Sequence, residues 1–436
     1  MKILLIGSGG REHALAWKIR QSPLVAKMYC APGNPGIGEI AELVPIKPGD
    51  IDSLVRFARD QQIDLTVVGP EQPLVDGIVD EFDRQGLAIF GPSKSAAAIE
   101  GSKVFAKEFM KRNGIPTAEF RSFTAAERFD AERYVDEMPV PLVIKADGLA
   151  SGKGVSVCDT KEAALETLDA MMGKKIFGDA GTTVVIEEFL EGEEASVLAI
   201  TDGTDFVLLP PAQDQKRILD DDQGRNTGGM GAFAPAPVAG GEMLERIKRL
   251  ILVPTLAAMK KEGRPFKGCL YAGLMITETG PRVVEFNCRF GDPETQVVLP
   301  LVENDLVELM LDAVSGNLSG AAVRQRQSVA VCVVLASGGY PGRYETGKPL
   351  VGLDRAAEQG DVMVFHAGTA LEKGGVVTSG GRVLGVTAVG PERSPESTVD
   401  LAYRAVRKIT FDGAYYRSDI GRKAISRLIK TRAEVG

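Results

Sequence analysis

Four short apolar runs in the first hundred residues each stop at a glycine or proline and alternate with helix-like stretches. They read KILLIG at 2–7, KMYCAP at 27–32, DLTVVGP at 64–70 and LAIFGP at 87–92. Strands that are apolar throughout, rather than on every second residue, must be covered on both faces, so the pattern predicts a parallel sheet with helices packed on it. Ligands in such sheets bind beyond the C-terminal strand ends. Three loops fall there: GSGGRE at 7–12, APGNPG at 31–36 and GPEQPL at 69–74. The first approaches the dinucleotide pattern G-x-G-x-x-G, but Glu12 stands at the third glycine. A dinucleotide site also needs an acid at the end of the second strand, and that strand ends in Ala31-Pro32-Gly33. A phosphate turn of another kind is the better reading.

The character changes after Gly101. A helix is expected over 103–112, then a helix rich in Ala, Glu and Arg, the strand PLVIKA (141–146), the loop DGLASGKG, the strand VSVCD and the strand TTVVIEEFL. Further strands between 195 and 209 lead to a polar loop, QDQKRILDDDQGRNTGGMG (213–231). A helix over 243–261, the strand pair CLYAGLMIT and RVVEFN, and a helix over 305–315 follow. A second boundary is expected near 320–327, before a smaller α+β unit. The fold class is thus α/β and α+β, in three domains: 1–101, 102–325 with a mobile lid at about 120–190, and 326–436.

Composition narrows the function classes. A net charge of −8 argues against general nucleic-acid binding, which needs basic surface. Five scattered cysteines without C-x-x-C, beside only two histidines, make zinc improbable and suit free thiols in the cytoplasm. The apolar N-terminal run is too short for a signal segment, and 329–337 is half a membrane span. No membrane partner is expected.

Three elements carry chemistry. Between Gly148 and Gly152 there are three residues, not the four of a Walker A loop, and Gly154 replaces its hydroxyl residue. A glycine-rich strand-to-strand loop with Lys153 instead suits a flap over triphosphate, its backbone N–H groups unobstructed. Downstream, IEEFLEGEEAS (186–196) offers backbone from Glu187, Glu188, Phe189 and Leu190 to an adenine edge, and Glu194 to ribose hydroxyls. Finally, Glu285 and Asn287 in RVVEFN point to one side of a strand, two hard oxygen ligands suited to Mg²⁺ beside phosphates. Arg289 continues that face if the strand persists.

In this order, with Lys103 ahead of them, these elements resemble the ATP-grasp family, in which two α+β subdomains clamp ATP. The resemblance implies that Lys103 and Lys145 bind phosphate and that Gly152, Lys153 and Gly154 belong to the flap. It makes Glu187 to Leu190 the hinge and Glu285 and Asn287 the ligands of Mg²⁺ or Mn²⁺. GSGGREHALAW, APGNPG, VGPEQPLVDG, FGPS, EGSK, IKADGLASGKGV, IEEFLEGEEAS, NTGGMGA, LYAGLM and VEFNCRFGDPETQ occur in the order of the ATP-grasp branch that ligates glycine to 5-phosphoribosylamine. HAGT (366–369) and DIGRKAI (419–425) add to it.

That branch implies ATP, glycine and 5-phosphoribosylamine as small-molecule partners of a monomer or weak dimer. Gly9, Gly10, Arg11 and Glu12 would receive the sugar phosphate and Glu71 the ribose. Asp214 would hold the glycine ammonium, Arg289 its carboxylate, and Gly229 would let backbone approach them. Asp214, Lys145 and Arg289 are then the catalytic candidates. Two departures stand out: AGLMI (272–276) lacks the acid that many relatives place there, and Gln215 replaces a histidine in QDQKR. The rival readings are another ATP-grasp ligase, a biotin-carboxylase type, a nucleotide-dependent oxidoreductase and a silent nucleotide-binding module.

Overall fold

The computed structural model describes residues 1–149, 154–174 and 181–435. The N-terminal runs form five parallel strands: β1 (Lys2–Gly7), β2 (Lys27–Pro32), β3 (Glu42–Leu43), β4 (Leu65–Val68) and β5 (Ile89–Phe90). Their order is β3-β2-β1-β4-β5. Ile3, Leu4, Leu5 and Ile6 are fully buried, as a strand covered on both faces requires. Strand order reverses at β1, so the loops after β1 and β4 diverge there and leave a crevice.

A second sheet is antiparallel, in the order β6-β9-β7-β8, from β6 (Phe120–Thr124), β7 (Leu142–Ala146), β8 (Val155–Cys158) and β9 (Thr183–Glu188). It owns a separate core that includes Phe123, Leu142, Ile144, Leu168, Met172 and Ile186. Next come β10 (Glu193–Asp202) and β11 (Phe206–Leu208).

The segment 213–231, expected as one polar loop, contains strands instead. These are β12 (Gln213–Asp214), the hairpin β13 (Arg217–Leu219) and β14 (Gln223–Asn226), and β15 (Gly231–Ala234). Polar sequence hid them because the hairpin buries only Ile218 deeply, while β12 pairs with β15, which finds its second partner, β18, about 100 residues along the chain. Strands β16 (Lys267–Thr277) and β17 (Gly280–Asn287) complete a third sheet, β11-β10-β16-β17. Leu198, Ile200 and Cys269 of that sheet share a core with Ile3, Leu5 and Leu15. The third sheet and the N-terminal sheet are therefore one packed body, against which the second sheet stands with its own core.

The last sheet holds β18 (Ser328–Ser337), β19 (Val362–His366), β22 (Arg382–Pro391) and β23 (Ala414–Tyr415), with the small hairpin β20 (Thr369–Glu372) and β21 (Gly375–Thr378) beside it. Its path is β12-β15-β18-β22-β19, and Phe233 of β15 pairs with Val331 of β18. This C-terminal sheet thus takes in two strands from the middle of the chain. The boundary near 320–327 separates segments of sequence, not sheets. No helix among the described residues is long and apolar enough to cross a membrane.

Candidate functional site

A cavity of about 570 Å³ is lined from all three domains, by Lys103, Lys145, Glu187, Glu285 and Asn287 as well as Arg11, Glu71, Asp214, Arg289 and Arg382. The first five form one group. Ser102 starts the helix Lys103–Arg112 by accepting the Phe105 N–H at 3.0 Å, and its hydroxyl donates to Asp147 Oδ1 at 3.0 Å. Asp147 also accepts the Val104 N–H at 3.1 Å, which ties this helix to the loop after β7. Lys103 Nζ consequently reaches the Gly148 carbonyl at 2.8 Å. Burial lowers the Lys103 pKa, Glu285 opposes that, and Lys145 adds to it.

Lys145 donates to the Val284 carbonyl at 3.0 Å and pairs with Glu187, which also pairs with Lys107. Burial alone would raise the Glu187 pKa, but these two lysines hold it below the usual range. Glu187 sits in mid-sheet, with Phe120 on one side and Val143 on the other. Its backbone therefore belongs to the ladder, and the expectation that it offers a backbone edge is corrected: it presents a carboxylate to two lysines. Phe189 and Leu190, beyond the end of β9, line the cavity outside the ladder. Glu188 accepts from the Glu119 N–H at 3.0 Å and from Arg282 at 2.7 Å. Gly154 lines the cavity; Gly152 and Lys153 lie outside the described residues.

Glu285 and Asn287 lie two apart on β17, and both line the cavity. Lys216 Nζ stands 3.4 Å from both Glu285 Oε1 and Glu194 Oε2. Burial alone would lower the Lys216 pKa, and the two glutamates raise it well above the ordinary value. Burial pushes Glu285 the opposite way, yet Lys216, Lys145, Lys103 and Arg289 hold its carboxyl at about 2. The Glu285 carboxylate and the Asn287 amide offer hard oxygens that fit a divalent ion, and the surrounding cations suit phosphate groups.

The remaining residues gather from distant segments. Strand β17 stops at Asn287, so Arg289 does not continue its face. Its guanidinium turns instead to the N-terminal domain, 3.3 Å from Glu71 and 3.1 Å from Glu100. Glu71 opens the helix Glu71–Asp76, and Arg289 and Arg11 outweigh burial to lower its pKa. Arg11 donates to Glu12 at 2.5 Å and to the Phe290 carbonyl at 3.2 Å.

Glu12 requires a correction. Its carboxylate accepts the Gly9 N–H at 2.6 Å, and a Cβ on Gly7 or Gly69 would collide with its side chain. The glycines around this turn make room for Glu12, which caps its own helix from within. Gly9, Gly10 and Glu12 do not line the cavity, and the Gly9 N–H is no longer offered to a phosphate.

Asp214, on β12, is buried, and its Oδ1 has no hydrogen-bond partner. Burial and the nearby Glu294 carboxylate raise its pKa well above the usual range, against the pull of Lys216. Glu294 accepts from Tyr271 at 2.8 Å and from Ser196 at 2.9 Å. Gly229 has φ +110°, and a Cβ there would lie 2.6 Å from Asp214 Oδ1. Only glycine permits that approach. Gln215 is buried off the cavity with its amide oxygen unpartnered.

Sequence reasoning missed Lys107, Glu100, Lys216 and Arg382. Lys216 carried a signal, as the cation inside QDQKR. Arg382 carried none: it begins β22, 90 residues beyond Asp292, yet its Nη1 donates to the Asp292 carbonyl at 2.8 Å and its Nη2 stands 3.1 Å from the Asp292 carboxylate. The C-terminal domain thereby enters the site.

Comparison with known proteins agrees with this architecture. Sequence models of phosphoribosylglycinamide synthetase match as its N domain over 1–100, its ATP-grasp (A) domain over 101–295 and its C domain over 330–423. The phosphoribosylamine–glycine ligase of Rhodopirellula baltica is 51% identical over 430 residues, covering 97% of this chain and 98% of the relative. The crystal structure of phosphoribosylamine–glycine ligase from Thermotoga maritima superposes with a TM-score of 0.80 at 35% identity, over 96% of this chain and all of that one. The biotin carboxylase domain of Hydrogenobacter thermophilus 2-oxoglutarate carboxylase shares the fold alone, with a TM-score of 0.72 at 17% identity over 95% of this chain and 91% of that one.

Proposed function

The chain belongs to the phosphoribosylglycinamide synthetase family, and we propose on that footing that its central cavity ligates glycine to 5-phosphoribosylamine at the expense of ATP, in the purine biosynthesis of the cytoplasm. The observation that carries this reading is the convergence of Lys216, Lys145, Lys103 and Arg289 on one cavity around the Glu285 carboxylate. Such a cluster of cations neutralises phosphate charge, which is most of what phosphoryl transfer asks of a protein.

The reaction follows from the leaving groups. A glycine carboxylate oxygen attacks the γ-phosphorus of ATP, breaking its bond to the bridging oxygen and releasing ADP. The resulting glycyl phosphate carries a good leaving group. The amine of 5-phosphoribosylamine attacks its carbonyl carbon, the C–O bond to phosphate breaks, and the departing phosphate takes the proton that the amine gives up. Lys103 and Lys145 orient the triphosphate, Phe189 and Leu190 offer backbone to the adenine, and Glu194 takes the ribose hydroxyls. Glu285 and Asn287 would hold Mg²⁺, which would supply neutralisation of phosphate charge. Arg289 receives the glycine carboxylate. Asp214 receives its ammonium, the partner that its bare Oδ1 lacks. Glu71 and Arg11 face the phosphoribosyl group. No side chain acts as a nucleophile, so catalysis rests on positioning.

A coupled assay of ADP release tests the reading, with phosphoribosylamine generated in situ. ADP should appear only with glycine present. Glycine-independent release, or release with bicarbonate and biotin instead, overturns it.

A further inference from the structure

The run 415–423, which contains the start of the DIGRKAI motif, lies outside the cavity lining. It nevertheless grips the β13–β14 hairpin, whose roots do enter the cavity. Arg417, 1% exposed, forks onto Asp419 with two bonds of 2.7 Å, and its Nη1 donates to Asp222 at 2.8 Å and to the Arg217 carbonyl at 3.0 Å. Asp419 accepts the Asp221 N–H at 2.9 Å, and Asp220 accepts the Ser418 N–H at 2.9 Å. The Tyr415 hydroxyl donates to the Ile218 carbonyl at 2.7 Å.

The turn so held is an unusual one. Asp221 and Asp222 both have left-handed backbone, with φ of 55° and 53°. Two such residues in succession without a glycine persist only where surroundings impose them. The hairpin's roots are joined in turn: Thr227 donates through both its N–H and its hydroxyl to the Lys216 carbonyl, each at 2.8 Å. Lys216 and Gly228 are cavity residues.

We propose that Arg417 is a positioning residue: from outside the cavity it fixes the β13–β14 hairpin, and so sets Lys216 against Glu194 and Glu285 and sets Gly228–Gly229 against Asp214. The proposal rests on the ligase reading above. It assigns the C-terminal segment 415–423 a part in acceptor binding that the lining of the cavity does not reveal.

The full-length variants Arg417→Lys, Asp222→Asn and Asp222→Glu test it by steady-state ADP release. Arg417→Lys keeps the charge and loses the fork, and Asp222→Asn is the milder change should that variant fail to fold. A loosened hairpin raises the glycine KM by about tenfold and lowers kcat, since an ångström at a reacting group costs up to about 10²-fold. The KM for ATP rises as well, because Lys216 stands against Glu194 and Glu285 on the nucleotide side, and Asp222→Glu recovers most of both KM values. A merely structural role would reduce the amount of active enzyme and lower kcat at unchanged KM for both substrates. That result, or variants indistinguishable from wild type, overturns the proposal. A wild-type enzyme without glycine-dependent ADP overturns the ligase reading, and this inference with it.

Discussion

The nucleotide group and the acceptor group of the cavity differ in how their charges are satisfied. Lys103, Lys145 and Glu187 come from neighbouring elements within 85 residues of one another, and each already has a protein partner. Arg11, Glu71, Asp214, Arg289 and Arg382 come from all three domains, and within this group Asp214 Oδ1 is left bare. A buried polar atom without a partner is costly, and one that faces a cavity holds its place for a ligand. On the proposed reading, the first half is preorganised by the protein and the second is completed by substrate.

The comparison breaks most decisively at Glu285, which serves the nucleotide group. Glu285→Ala removes the anion that four cations surround, and Mg²⁺-dependent ADP release should fall by about 10³-fold, the several kcal/mol that a metal supplies to such charge. A rate within tenfold of wild type would remove Glu285 from the metal site. On the acceptor half, Arg289→Met strands Glu100 and Glu71. These pairs are part-buried, so the loss lies below the roughly 3–5 kcal/mol of a fully buried pair, and the melting temperature should still drop along with a loss of about 10²-fold in kcat/KM for glycine. An unchanged melting temperature would mean that these carboxylates are already protonated.

Asp214→Asn should raise the glycine KM by about tenfold while sparing the KM for ATP. Its stability effect has a definite sign. The raised pKa of Asp214 means that its contribution is full below about 3.8 and is lost as pH rises through the native pKa. The variant should therefore gain on wild type in melting temperature as pH climbs from 4 to 8, and a constant difference would place an ordinary carboxylate there. The smallest effect is expected beneath the acceptor half, where His13 Nδ1 accepts the His366 N–H at 2.8 Å. Burial, then His366, lowers His13 to about 3, and burial lowers His366 to about 4. Both are neutral when folded, so stability present above pH 6.5 is lost as pH falls toward those values. His13→Gln keeps an acceptor and should flatten the acid side of the melting curve against pH.

Legibility follows the same divide. Glu194, after the turn at Gly192, and Glu285 and Asn287, on one face of a short strand, could be singled out from local pattern, whereas Lys103 and Lys145 entered through the resemblance; the structure brings all five to one cavity. Glu12 was misread because the pattern at 7–12 permits two uses of the same glycines. Only the packed turn reveals that they make room for a carboxylate. Arg289 does share the cavity with Glu285 and Asn287, but β17 ends before it, and its ion pairs with Glu71 and Glu100 could not be read from the strand's alternation. The hairpin within 213–231 was hidden by its polarity, because its partners are Arg417, Ser418 and Asp419, some 200 residues away.

What the sequence determined by itself is local: which runs are buried strands, where helices begin, and which side chains share a face. Those features depend on residues a few positions apart, and hydrophobic period and turn chemistry encode them directly. The tertiary structure alone decided that β12 and β15 cross into the C-terminal sheet, that Arg382 reaches Asp292, and that four cations converge on one carboxylate. Charge and burial act through space, and a linear pattern holds no record of which distant residue will supply the opposite charge.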